Sequence, residues 1–171
     1  MPSIRPLTPA DAERYVLLRR EMLLDSPKAF SASPGQDRGS DPEGLRTSLA
    51  GSEYAIIGAF EGPTDQPRLV AVAGLIREAA LKRRHIAKIW GVYVSPAARG
   101  RGLGRAVVSA TIQIARSWPG IAQVQLSAGE NSTAAISLYR SLGFTVWGVE
   151  PDCLRIEGVG YAEHHMSLSL D

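Results

Sequence analysis

Arg99-Gly100-Arg101-Gly102-Leu103-Gly104-Arg105 sets three alternating glycines among three arginines, after an apolar run that ends at Pro96 and before a helical pattern. Such a turn leaves backbone N–H groups without intrahelical acceptors at the start of a helix, and phosphate oxygens bind that arrangement well. Glycine lets a ligand come close to the backbone and permits φ > 0. Anionic charge at a helix N-terminus gains roughly 0.3–1 kcal/mol, and up to about 2 kcal/mol when partly buried. Arg99, Arg101 and Arg105 can add charge-assisted contacts. Composition alone leaves a second reading open, a surface turn whose arginines are merely solvated. Two nucleotide motifs are excluded. A Walker loop needs Gly-Lys-Ser/Thr, which is absent. A Rossmann turn accepts Gly100 and Gly102, but Arg105 stands where its third glycine belongs, and Val124 where its acid is expected.

Working outward, Leu103, Val107, Ala110 and Ile114 repeat at helical spacing until Pro119-Gly120. Upstream, Ala87 to Val94 reads as a strand, and Tyr54 to Phe60 and Leu69 to Ile76 as a hairpin turning at residues 62–67. Arg77 to His85 is a charged connection. Nearer the N-terminus, Ile4 and Leu7 suggest a short strand. Thr8 is placed to cap a helix with Pro9 at its first position and a stripe of Tyr15, Leu18 and Met22. Asp25 to Pro42, rich in Ser, Pro, Gly and Asp, reads as a long loop poised as a lid, and Pro42 to Ala50 as a short helix. Downstream, Ile121 to Leu126 alternates as a strand, and Asn131 or Ser132 caps a helix carrying Ala135, Leu138, Tyr139 and Leu142 that stops at Gly143. Phe144 to Val149 and Tyr161 to Leu170 are the last strands. With no internal repeat and no break in composition, residues 1–171 are expected to form a single α/β domain around a mixed sheet.

The bulk properties narrow the class. The chain has 171 residues, 44% of them hydrophobic and 21% charged, which is a globular composition. A net charge of only +2 argues against a dedicated nucleic-acid binder. Lone Cys153 cannot form an internal disulfide, which fits a reducing compartment. The first six residues lack the apolar run of a signal peptide, and the apolar run Leu69 to Ile76 is too short to span a bilayer. These features predict a cytoplasmic protein without membrane association.

Arg99-Gly100-Arg101-Gly102-Leu103-Gly104 matches the Arg/Gln-x-x-Gly-x-Gly/Ala signature of the GCN5-related N-acetyltransferase (GNAT) family. Val92-Tyr93-Val94-Ser95-Pro96 resembles that family's fourth strand, and Ala135, Leu138-Tyr139 and Leu142-Gly143-Phe144 resemble its Ala-x-x-Leu-Tyr-x-x-x-Gly-Phe block. The blocks agree in order and spacing. The closing Glu163-His164-His165-Met166 also looks like the last strand of bacterial members. The resemblance implies a mixed, mostly antiparallel sheet of about seven strands flanked by about four helices, with the fourth and fifth strands splayed around acetyl-CoA. It implies backbone pairing of Val92 and Val94 with the pantetheine arm, and a pyrophosphate held by Arg99, Gly100, Arg101, Gly102, Leu103, Gly104 and Arg105.

Acetyl transfer from a thioester to an amine needs a neutral amine, a donor for the developing oxyanion and a proton for the leaving thiolate. Unpaired N–H groups at Val92 or Tyr93 suit the oxyanion. Periodicity alone makes Tyr139 a core aromatic; the resemblance makes it the general acid beside the coenzyme sulfur. The proton acceptor is the gap in the pattern. Lys88 falls where some members carry a glutamate, and a lysine is normally protonated. Glu78, His85 or a water chain are the substitutes. Ser132 stands where the family usually places an asparagine, and Asn131 lies one residue earlier, so either is a candidate for pantetheine contact. His164 and His165 point to opposite faces of their strand and cannot share a metal; no metal is expected. Trp90, Trp118 and Trp147 read as packing residues. The expected function is an acetyl-CoA-dependent N-acetyltransferase acting on a small-molecule, peptide or protein amine, with a homodimer compatible with this reading. The alternative is an acyl-CoA-binding sensor or scaffold without turnover.

Overall fold

The computed structural model describes residues 2–170, with the backbone alone at Arg38. Seven strands make one sheet: β1 (Ser3–Pro6), β2 (Tyr54–Glu61), β3 (Arg68–Arg77), β4 (Ile86–Val94), β5 (Gln123–Gly129), β6 (Thr145–Ile156) and β7 (Val159–Ser169), in the order β1-β2-β3-β4-β5-β7-β6. Neighbours are antiparallel except β4 and β5. The helices are α1 (Ala12–Asp25), α2 (Pro42–Leu49), α3 (Leu103–Ser117) and α4 (Thr133–Ser141). The mixed, mostly antiparallel sheet with four helices is the architecture expected from the sequence.

Side chains alternate across the central strands, so consecutive residues serve different layers. Ile56 and Val72 pack with Tyr15, Leu18 and Met22 of α1 and Leu45 of α2. Ile57, Ala71 and Ala73 pack on the other face with Val107 and Val108 of α3 and Ile136 of α4. β2 and β3 are covered on both faces, which is why Leu69 to Ile76 reads as an unbroken apolar run. Thr111, fully buried in α3, donates its hydroxyl to the Val107 carbonyl at 2.7 Å.

Local chemistry corrects several boundaries. The segment before α1 opens as a single 3-10 turn, Pro9–Asp11, with Thr8 at its N-cap and Pro9 at its first position as expected, and the Asp11 side chain closing the capping box. The buried Asp11 carboxylate accepts from the Thr8 N–H at 2.9 Å, the Thr8 hydroxyl at 3.0 Å and Arg5 at 2.7 and 3.0 Å. The Arg5 hydrogen bonds hold its pKa down at about 2. β5 begins at Gln123, two residues later than expected, and runs on to Gly129. β6 and β7 form a longer hairpin than the alternation suggests, closed by Glu157-Gly158 with φ of 52° and 80°. Two positive φ values in a two-residue loop match the right-handed twist of the strands it joins.

The feature that positions the site is a failure of pairing. β4 and β5 are in register only at Ile86↔Gln123, Ala87↔Val124 and Lys88↔Gln125. Beyond Lys88, β4 stays with β3 and β5 stays with β7. Gly91, at φ +60°, sits where the β3–β4 register slips, so β4 carries an extra residue between the partners of Val72 and Gly74. A bulge of this kind bends its strand and increases the local twist. The splay expected between the fourth and fifth strands is therefore present.

Candidate active site

Three connected cavities follow the gap between β4 and β5 through the sheet. Val92, Tyr93, Val94, Arg99, Gly104 and Leu138 line the one beside the glycine turn. Phe30, Gly91, Ser127 and Glu163 are among the residues around the middle one, and Val92, Ser132 and Tyr139 line both. Trp90, Leu126 and Ser127 pass from the middle cavity into the third, of about 430 Å³, which adds Lys88, Gln125, Trp147 and His165. Along the gap, the β4 backbone groups that point away from β3 have no β5 partner. They are available to an extended, amide-bearing ligand.

At the glycine turn, Gly102 (φ 76°) is the N-cap of α3, and the first intrahelical donor is Ala106, to the Gly102 carbonyl at 3.1 Å. The N–H groups of Leu103, Gly104 and Arg105 precede it and have no intrahelical acceptor. The Leu103 side chain is buried, so its backbone alone is offered; Gly100 and Gly102 are exposed. The three arginines are less free than the sequence suggests. Arg99 bonds to Asp25 at the end of α1 and gives its Nε–H to the Val94 carbonyl at 3.0 Å. Arg101 pairs with Glu61 of β2, and Arg105 donates to the Ser141 hydroxyl at 2.6 Å. All three remain near the turn, held by groups a polyanion can compete with.

Tyr139 lies on the buried face of α4, edge-on to Phe144 with ring centroids 6.0 Å apart. Burial pushes its pKa up to about 12, so the phenol keeps its proton throughout the neutral range. Between the two asparagine-like candidates, Ser132 lines the cleft, whereas Asn131 faces a neighbouring groove with Asp25, Pro27 and Lys28. Tyr93 contributes its backbone: its ring is buried on the α1 side, where its hydroxyl donates to Glu21 at 3.2 Å.

The structure corrects the expectations for a proton acceptor. His85 is exposed at the closed end of the gap, where its carbonyl accepts from Ala122 and Gln123. Glu78 is held between Lys88 and Arg83, and the Lys88 hydrogen bond in the first place lowers its pKa. Neither lines the cleft. Glu163 of β7 does, and sequence reasoning passed over it. It is cross-strand to Glu150 in β6, and His165 bonds Glu150 at 2.9 Å. Glu150, Glu163 and His165 each bring one potential ligand atom to within 4.8 Å of the others. Trp147 departs from the packing role expected of it: 60% exposed, it lines the third cavity and stacks against His165 at 5.3 Å, whereas Trp90 lines the same cavity while packed on the α1-side core and against Tyr54. The one sign of this cluster in the sequence is the acid and imidazole pair at alternate positions of the last strand.

Comparison with known proteins bears out the family resemblance. A family model described as "Acetyltransferase (GNAT) family" matches residues 20–144. The N-alpha-acetyltransferase RimI of Mycobacterium tuberculosis is 29% identical over 156 residues, 91% of this chain and 86% of that protein. A mycothiol acetyltransferase of Streptosporangium roseum is 46% identical over 65 residues, 38% of this chain. The matched segment spans only about a fifth of that relative's length, at 19%. Among solved structures, yncA from Salmonella typhimurium, determined with its cofactor acetyl-CoA, superposes with a TM-score of 0.80 at 24% identity, covering 100% of this chain and 95% of its own. Among the described residues, no helix is long and apolar enough to cross a membrane.

Proposed function

The chain belongs to the acetyltransferase (GNAT) family, and from that premise we propose that it transfers an acetyl group from acetyl-CoA directly to an amine, of a small molecule or of a protein N-terminus. The observation that carries the proposal is the gap beyond Lys88↔Gln125, with an uncapped helix N-terminus at one end and a buried, protonated Tyr139 within it. These residues fit the coenzyme. Leu103, Gly104 and Arg105 offer N–H groups to a pyrophosphate, supported by the charge of Arg99, Arg101 and Arg105. β4 backbone groups at Val92 and Val94, with Ser132 opposite, suit an extended arm bearing amides. A bound acetyl-CoA supplies an activated thioester.

The chain's own residues do the rest. Unpaired N–H groups of β4 at Val92 or Tyr93 stabilise the carbonyl oxygen as it gains charge. Tyr139 gives its proton to the departing sulfur; an ordinary thiol has a pKa near ~8.5, so a phenol of higher pKa keeps its proton until the sulfur takes it. Apolar walls from Phe30, Trp90 and Leu126 exclude water from the thioester. The same proposal takes residues 1–171 as one catalytic domain working in the cytoplasm, in keeping with the net charge of +2 and the single cysteine.

The test is acetyl-CoA-dependent release of free thiol across a panel of primary amines, amino acids and N-terminal peptides, with acetyl-CoA binding followed in parallel by calorimetry. Tight binding with turnover of at least one amine is the expected result. Binding with no turnover of any amine turns the reading into that of an acyl-CoA sensor, and absence of binding overturns it.

A further inference from the structure

Among the described residues, most acids near the sheet have a cationic partner: Asp11 with Arg5, Asp25 with Arg99, Asp37 with Arg19, Glu61 with Arg101 and Glu78 with Lys88. Glu163 is different. It lines the same cavity as Tyr139, Trp90 and Ser127, and among the described residues no lysine, arginine or histidine forms an ion pair with it. Its hydrogen-bond partner is the Cys153 thiol, which donates to it at 3.3 Å. That thiol is a neutral group: burial first, then Glu163, push its pKa up to about 11. Directly across the strand pair stands a second carboxylate, Glu150, and like charges in that position repel. His165 is hydrogen-bonded to Glu150 and not to Glu163. The wall of the cleft on the β7 side is thus electronegative and short of one positive charge. The walls above it, Trp90 and Phe30, are apolar or aromatic and favour a cation beside them.

We propose that Glu163 receives the ammonium group of the acceptor and takes its proton, filling the role that Lys88 cannot. This rests on the acetyl-transfer reading and adds to it that the acceptor enters as a cation. The proton balance is complete with the groups present. Glu163 takes one proton from the ammonium, which frees the nitrogen lone pair. That pair forms the C–N bond to the thioester carbonyl, and the C–S electron pair leaves on sulfur. The sulfur takes the Tyr139 proton, and the second proton of the nitrogen restores the phenol. The proton on Glu163 passes to solvent by way of Glu150 and His165, the one exposed and the other half-buried.

Glu163→Gln keeps the shape and the hydrogen bond from Cys153 while removing the charge and the basicity. The expected result is a fall in kcat/KM for amines of about 10²-fold at neutral pH, with acetyl-CoA affinity and melting temperature unchanged. The deficit should shrink as pH rises towards the pKa of the amine, where the acceptor arrives already neutral. Glu150, His165, Cys153, Tyr93, Tyr139, Arg83, Lys88 and Arg99 are the titratable groups around the cleft, and the variant leaves all of them in place, so the difference profile between the two enzymes reports Glu163. Wild-type kcat/KM in Glu163→Gln overturns the proposal. So does a loss of equal size at every pH accompanied by weaker coenzyme binding, which marks a structural role. A wild-type rate abolished by a chelator and restored by a divalent cation also overturns it, since Glu150, Glu163 and His165 would then be holding a metal. A wild-type protein that binds acetyl-CoA and acetylates no amine fails at the underlying reading, a result visible before any variant is made.

Discussion

Burial makes Tyr139 a core residue and keeps its phenol protonated, which is the state the proposed role of general acid requires. Its hydroxyl lies in an environment that raises its pKa to about 12, while its ring packs edge-on to Phe144. Tyr139→Phe keeps the ring and removes only the proton. The expected outcome is a fall in kcat of about 10²-fold or more, with acetyl-CoA affinity retained and stability within about 1 kcal/mol. Steady-state thiol release beside a urea titration checks it, and a wild-type kcat removes the phenol from the mechanism. The sign of the pH effect follows from the direction of the shift. A folded pKa above the unfolded value of ~10 means that the native state holds the proton longer, so the stabilisation is complete below about pH 10 and is lost as pH climbs towards 12. Tyr139 was legible in the sequence because its block, Leu138-Tyr139 to Gly143-Phe144, lies within one helix and its cap. Glu163 and Trp147 were not. They meet His165 and Trp90 through the β6–β7 and β4–β5 arrangement, and a local pattern carries no record of which strands become neighbours. Nor did the glycine turn reveal that Asp25, Glu61 and Ser141 hold its arginines, since these come from three other elements.

β4 decides whether there is a cleft at all. The apolar run from Ala87 to Val94, closed by Pro96, marks a strand and gives no hint that its far half leaves β5, because the side-chain pattern is the same whether the backbone is paired or free. The signal lies in Gly91, whose φ of +60° lets β4 carry the extra residue of the bulge. An added Cβ there would meet Arg19 Nη1 and Met22 Cε at 3.7 Å, ordinary contact distances, so the cost of Gly91→Ala is conformational and not steric. It should be about 1–2 kcal/mol. If the chain relieves that strain by straightening β4 towards β5, the gap narrows. Acetyl-CoA affinity should then fall by more than the stability loss alone accounts for, on the order of 10-fold. Isothermal calorimetry on the variant at a temperature where it is fully folded separates the two effects. Unchanged affinity would show that the splay is set by the side chains between the strands, such as Trp90 and Leu126, and not by the bulge.

In the molecule as a whole, the loop beside the cleft is tied to α1 by a buried ion pair. The segment between α1 and α2 reads from composition as a loose lid, yet it carries Phe30 into the cleft and is fastened to α1 through Asp37. Both oxygens of Asp37 accept from Arg19, at 2.8 and 3.0 Å, and the two side chains are only 6% and 9% exposed. Pairing with Arg19 lowers the Asp37 pKa. A depressed folded pKa gives stability that is present above the unfolded value of ~3.9 and is lost as pH falls below it. Asp37→Ala leaves the Arg19 guanidinium buried with Tyr15 and Met22 and without its counter-charge, which should cost about 3–5 kcal/mol. Replacing both partners, Arg19→Met with Asp37→Leu, removes the charges together and should recover most of that loss. The pair of variants separates stability from function. If the ion pair serves only to hold the fold, the double variant regains normal kinetics along with its stability. If it also sets where Phe30 stands in the cleft, the double variant folds well and still shows an acceptor KM raised several-fold and weaker acetyl-CoA binding, because Ala29 and Phe30 of this loop line both the middle cavity and the one beside the glycine turn. The second outcome is the one expected, since Arg19 also lies beside Gly91 and so joins the loop, α1 and the bulge in one contact.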